Sequence, residues 1–194
     1  MTPANLREVE RVEVTILVDN YTDLLLLQST DVVKRASLPP PQAFLAEHGF
    51  SCLIKTTDGP EEHMILMDVG ISGTCLLQNA HLLKIDLSKV EALILSHGHF
   101  DHCWGLREIL PKLSKGTPVV LHPDAFLPRR VNLPALGIET SLPPPAEAMM
   151  KEAGMEIRKI REDAILASGH LLVLGEIDRV TKFEKGMPGA EAEM

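Results

Sequence analysis

Cysteine is scarce in this chain: Cys52, Cys75 and Cys103 are the only three, and none has a C-x-x-C partner. So sparse and odd a set builds neither a disulfide framework nor a thiolate zinc site, and the expected setting is a reducing cytoplasm. Long apolar runs are missing too. No stretch approaches the ~18 residues that a membrane-spanning helix needs. The opening MTPANLREVERVEVTILVDN has no basic segment running into an unbroken apolar one, so neither export nor membrane insertion is expected. Clustered positive charge is also lacking, with 19 Lys and Arg against 27 Asp and Glu and a formal net charge of -8. A general nucleic-acid or membrane-surface binder needs a basic footprint against phosphate, so neither class is expected. No internal repeat is visible.

What remains is the composition of an ordinary globular domain, 45% hydrophobic and 24% charged over 194 residues, read as one domain spanning 1–194. VEVTILVDN (12–20) alternates and is β-branched, as a strand does. Residues 21–42 have no period and end in three prolines, which predicts a loop on the surface or over a site. Two apolar runs around TDGPEE predict a hairpin over 51–68. Leu76, Leu77, Ala80 and Leu83 recur at helical spacing, and VEALILS (90–96) reads as a buried strand. GLREILPKL is helical up to Pro111, and TPVVLHP (117–123) is a further strand. A proline-rich stretch then leads to a short amphipathic piece, and ILASGHLLVLGEIDRVTKFEKG returns to strand and turn. Strands alternating with helical segments predict an α/β class.

The densest chemistry lies at the end of the 90–96 strand, where His97-Gly98-His99-Phe100-Asp101-His102 has the spacing H-x-H-x-D-H. In an extended turn, side chains two apart point the same way. His97 and His99 are thus placed to grip one ion, with Asp101 and His102 turned toward a second position. Imidazole and carboxylate suit a divalent transition metal, zinc foremost with iron or manganese as alternatives, as one or two ions. A metal pair can hold a bridging hydroxide and polarise a carbonyl or phosphoryl oxygen. Gly98 allows a backbone conformation between two ligands that a Cβ hinders. The bland alternative is a helix start with solvated imidazoles, but four donors in this order directly after a buried strand favour the metal.

LSHGHFDHCWGL resembles the motif of the metallo-β-lactamase-fold superfamily, and ILMDVG resembles its preceding aspartate element. Together with LVDN, AEHGFSCLI, LHPDAF and GEIDRVTKFEKG, the chain is similar to the subgroup of 7,8-dihydropterin-6-ylmethyl-4-(β-D-ribofuranosyl)aminobenzene 5′-phosphate synthase-like proteins. The resemblance spans nearly the whole chain. It implies an αββα sandwich with metal at one edge, ligands His97, His99, Asp101 and His102, Asp101 also shuttling a proton, and Asp68 steadying the site from behind. It further implies a hydrolase or transferase acting on a small anionic or pterin-like substrate. Members of the subgroup continue past the FEKG element into a second half with a CSHAG-like histidine, whereas this chain stops at GMPGAEAEM. The expectation is therefore a C-terminally truncated, incomplete sandwich. Its uncovered apolar faces on VEALILS and PVVL would favour self-association, and a catalytically weak metal- or ligand-binding protein is the rival reading.

Further candidates are fewer in kind. His122, in VVLHPDAF, is an extra ligand or the cap of a strand end. Glu47 and His48 line the site or end a helix closed by Gly49. Glu176 and Arg179 face substrate, with Arg179 suited to phosphate by its planar fork, or form an exposed ion pair. Cys103 reads as a small buried residue at a helix start and Trp104 as packing. His63, His81 and His170 stand alone and receive no role.

Overall fold

The computed structural model describes residues 6–184 and 189–192; the readings of the two chain ends fall in part on residues 1–5, 185–188 and 193–194, outside the described residues. Three antiparallel strands open the fold: β1 (Arg11–Val18), β2 (Ser51–Asp58) and β3 (Glu61–Met67), with residues 21–42 forming a loop free of regular structure. From β3 the sheet continues in parallel through β4 (Ala92–Ile94), β5 (Pro118–Leu121) and β8 (Glu156–Lys159), in the order β1-β2-β3-β4-β5-β8. Parallel neighbours need crossovers, and helices supply them. They are α1 (Thr74–Leu82) after β3, α2 (Phe100–Cys103) and α3 (Leu106–Ile109) after β4, and α4 (Glu147–Glu152) before β8. Pro111 ends α3 as expected by tightening it into a 3-10 turn at Leu110–Lys112.

Alternation along the strands divides the core. Leu66, Leu93, Val119 and Leu121 face the helices and pack on Leu76, Leu106, Ile109 and Met150. Ile65, Ala92, Ile94 and Val120 face the other way, against Leu166 and Leu171. The latter two belong to a hairpin of β9 (Ala164–Leu166) and β10 (Leu171–Val173), which occupies the place of a second sheet. A separate arm pairs β6 (Arg129–Leu133) with β7 (Ile138–Leu142) and with β11 (Ala190–Ala192). This is the α/β class, with one helix-covered sheet and a partial second layer. No helix among the described residues is long and apolar enough to cross a membrane.

The uncovered faces are not where the sequence placed them. β4 is buried along its length and Val119 to Leu121 of β5 are buried, because the β9–β10 hairpin lies over them. The open strip is on the edge strand β1, where Val12, Val14 and Ile16 are 56%, 57% and 48% exposed. A helix end closed by Gly49, one of the two readings of Glu47 and His48, does not form: residues 42–47 are irregular, and Gly49 has a φ of 132°.

Candidate metal centre

Buried β4 carries the chain to the sheet's edge and releases it at Ser96, so the H-x-H-x-D-H turn begins where backbone pairing ends. Asp68 arrives beside it from the parallel neighbour β3. It is 1% exposed and sits at φ 56°, a left-handed conformation that aspartate tolerates. Its Oδ1 accepts from Ser96 N (2.8 Å), and its Oδ2 lies 2.7 Å from both Ser96 Oγ and His102 Nδ1.

These contacts fix where protons reside. A carboxylate only accepts, so His102 Nδ1 carries a hydrogen, and in the neutral ring its Nε2 is bare. The single Ser96 hydroxyl proton goes to Asp68, so Ser96 Oγ must accept from His97 Nδ1, 2.9 Å away. His97 Nε2 is then bare as well and accepts from His99 Nδ1 at 2.9 Å. One buried carboxylate thereby sets the tautomers of three imidazoles, an assignment that follows from the hydrogen-bond network. Burial, and the neighbouring His102 and His99, push His97 down to about 4, so it stays neutral near pH 7. Burial, and the Arg129 charge, lower His99 too.

The donor set suits a divalent ion, and in the neutral ring the lone pair of His102 Nε2 is oriented in advance by Asp68. The His97 ring centroid is 4.5 Å from that of His99 and 4.3 Å from that of His102. Asp101 Oδ2 lies 3.6 Å from His102 Nε2. Among the described residues, however, no three donors of this turn converge within 4.8 Å. They stand as two pairs, His97 with His99 and Asp101 with His102. Two ligands of a tetrahedral zinc are about 3.3 Å apart, so the 2.9 Å His97–His99 hydrogen bond must open, and His99 must present a lone pair in place of its Nδ1 hydrogen, before both grip one ion.

Around the turn, His48 Nε2 approaches Asp101 Oδ2 at 3.4 Å, and Phe50 N donates to the Asp101 carbonyl. Glu47 turns away and accepts from the backbone of Ile71 and Ser72, holding the loop that follows Asp68. Arg129 donates to the carbonyls of Gly98, Asp124, Ala125 and Leu127, fastening the turn to the segment after β5. Gly98 is needed for that closeness rather than for an unusual φ, since a Cβ there stands 2.1 Å from the Ala125 carbonyl oxygen.

Beside His97 opens a cavity of about 820 Å³ whose walls include His122, Arg129, Glu176 and Arg179. His122 stays outside the donor pairs. Its Nδ1 accepts from Asp124 N, while its Nε2 lies 3.4 Å from Arg161 and 3.5 Å from Glu176. Glu176 also pairs with Arg161 at 3.3 Å. Cys103 is buried, and burial pushes its thiol up to about 12. Trp104 is 41% exposed, lies against Phe100 and donates to the Pro143 carbonyl. Sequence reasoning passed over Ser96, whose signal is its position directly before the first donor, and Arg129.

The chain is 33% identical over 132 residues to an uncharacterized protein of Methanocaldococcus jannaschii. Over 144 residues it is 31% identical to that organism's 7,8-dihydropterin-6-methyl-4-(beta-D-ribofuranosyl)-aminobenzene-5'-phosphate synthase. These alignments cover 66% and 73% of this chain but 48% and 49% of the relatives, so the chain spans about half the length of the curated relatives it matches. A solved subclass B3 metallo-beta-lactamase isolated from a soil metagenome library is 22% identical, covers 62% of this chain and 44% of its own, and has a TM-score of 0.38. The family model of the metallo-beta-lactamase superfamily matches residues 53–176, a span that holds Asp68, the whole H-x-H-x-D-H turn and more than half of the sequence, and on that match the chain belongs to the metallo-beta-lactamase superfamily.

Proposed function

We propose that the chain is a metal-dependent hydrolase or transferase acting on a small, anionic, pterin-like substrate. The observation that carries this reading is the proton relay from Asp68, which turns the lone pairs of His97 and His102 to Nε2, with His97 on the wall of a cavity wide enough for a bicyclic ring and a phosphate. His97, His99, Asp101 and His102 would hold the ion; when bound, a divalent transition metal supplies a Lewis acid and an acidified water. Asp101, whose Oδ2 lies between His48 and His102, would take up and return a proton. Arg179 on the cavity wall offers a planar fork to a phosphate. The name of the M. jannaschii synthase supports the pterin and phosphate parts of the reading.

The test is turnover by the metal-reconstituted chain on bis(p-nitrophenyl) phosphate, together with pyrophosphate release from a pterin diphosphate and 4-(β-D-ribofuranosyl)aminobenzene 5′-phosphate. Activity on either that disappears with chelation and in Asp101→Asn is the expected result. A metal-loaded chain inert in both assays overturns it. That outcome supports a second reading, a metal-binding protein without turnover, which the separation of the donors into two pairs favours.

A further inference from the structure

Glu61 and His63 open β3, the strand whose far end runs into Asp68, and His170 lies in the turn between β9 and β10. Their donor atoms all lie within 4.8 Å of one another. His63 Nε2 is 3.5 Å from Glu61 Oε1, and His170 Nε2 is 4.0 Å from Glu61 Oε2. The two rings meet edge to face at 4.9 Å. Both Nε2 atoms are buried and neither has a hydrogen-bond partner. The His170 side chain is 0% exposed and that of His63 11%.

The other ring nitrogens settle what these orphaned atoms present. His63 Nδ1 is 2.7 Å from Glu91 Oε2, an acceptor, so Nδ1 holds a proton, and in the neutral ring Nε2 is a bare lone pair. That lone pair faces Glu61, which also only accepts. In that neutral state two acceptors confront each other in a buried place, and they repel unless a proton or a metal cation stands between them. His170 Nδ1 is 3.1 Å from Thr56 Oγ1. With that nitrogen donating to the hydroxyl, His170 Nε2 adds a second lone pair.

We propose that Glu61, His63 and His170 form a second metal site, taking one divalent ion of the zinc type through two imidazole nitrogens and one carboxylate oxygen, with a fourth position for water. Glu91 and Thr56 fix the two rings from behind, as the partners of metal-bound histidines do. The local charge favours a cation. Glu61, Asp58 and Glu91 bring three carboxylates, against the single guanidinium of Arg7, which lies 3.0 Å from Glu61 and 3.2 Å from Asp58. Closing from 3.5 and 4.0 Å to ligand spacing asks for a small movement of Glu61, which is 38% exposed. The site is separate from the H-x-H-x-D-H turn, since the five residues from His63 to Asp68 along an extended strand span roughly 17 Å. It joins the β9–β10 turn to the β2–β3 hairpin, and it stands whether or not the proposed reaction holds.

The experiment uses the full chain with His97→Ala and His99→Ala, so that the other donors are weakened, and adds Glu61→Gln or His170→Gln on that background. Zinc is titrated calorimetrically, cobalt is followed by its visible absorption, and thermal unfolding is read with and without zinc. The background is expected to bind one zinc per chain and to unfold at a higher temperature with it. Each added substitution should weaken binding at least ~10-fold. A background that takes no zinc, or Glu61→Gln and His170→Gln that bind it as tightly as the background, overturns the proposal. So does NMR showing a proton on His63 Nε2 in the presence of zinc. If His170→Gln fails to fold, the partly exposed Glu61→Gln decides alone.

Discussion

Replacing Asp68 by asparagine tests the proton relay at its source. The substitution leaves shape and backbone unchanged, because asparagine also tolerates the φ of 56° found there. What changes is that one of two accepting oxygens becomes a donor. If the amide NH2 takes the place of Oδ2, it donates to Ser96 Oγ and His102 Nδ1, each 2.7 Å away. Ser96 then turns its proton to His97 Nδ1, and both imidazoles must carry hydrogen on Nε2, where the metal needs lone pairs. If the NH2 takes the place of Oδ1, it confronts the Ser96 N–H at 2.8 Å, donor against donor. A buried donor left without an acceptor costs ~1–3 kcal/mol, and exchanging charged for neutral acceptors in the other two bonds costs about 1 kcal/mol more. The expected loss of unfolding free energy is about 2–4 kcal/mol. Metal affinity should fall ~10 to 100-fold without vanishing. Denaturant unfolding, metal titration and nitrogen-15 NMR of the imidazole tautomers measure the three effects. A variant less than ~0.5 kcal/mol weaker, with unchanged tautomers and full metal affinity, would refute the relay.

In the metal-free protein the His97 ring should titrate near 4, against ~6.5 when unfolded. The unfolded chain thus binds more protons in that interval, so stability is full above 6.5, declines as pH falls toward 4, and loses this slope in His97→Gln; an NMR midpoint above about 6 contradicts the burial argument. Gly98→Ala puts a methyl 2.1 Å from the Ala125 oxygen and 2.8 Å from an Arg129 nitrogen. It should cost ~1–3 kcal/mol by overpacking and lower metal content, and an unchanged melting temperature speaks against the close approach. The exposed Val12, Val14 and Ile16 strip predicts self-association that Val14→Lys reverses. Sizing chromatography checks it, and a wild type that elutes as a monomer at all concentrations removes the basis for that expectation.

The parts of this molecule that were legible in the sequence are those whose information is local. β1 to β5 follow from alternation and apolar runs. The four donors of the H-x-H-x-D-H turn lie within six consecutive residues, so no long-range contact has to be guessed to gather them. β6 and β7 were missed behind the prolines, although RRVNL and IETSL alternate around Gly137, which takes the left-handed turn between them. Pro134, inside the stretch read only as proline-rich, begins that turn. The Glu61, His63 and His170 trio was not legible, because His170 reaches β3 only after the β9–β10 hairpin folds across the sheet. No spacing in the chain records that meeting. Glu47 illustrates the converse: its place in AEHGF suggested the site, yet its carboxylate is taken by the backbone of residues 71 and 72.

The β9–β10 hairpin has one end at the Glu61, His63 and His170 cluster and the other at the cavity. From His170 the chain runs through β10 to Gly175 and Glu176, which are bound to Asp163 Oδ1 and to the Arg161 carbonyl and line the cavity wall. A short strand tied at both ends transmits restraint, so an ion that orders its turn narrows the freedom of the cavity wall, and a ligand that fills the cavity narrows the freedom of the turn. Linkage makes the two effects equal: whatever factor zinc adds to ligand affinity, the ligand adds to zinc affinity.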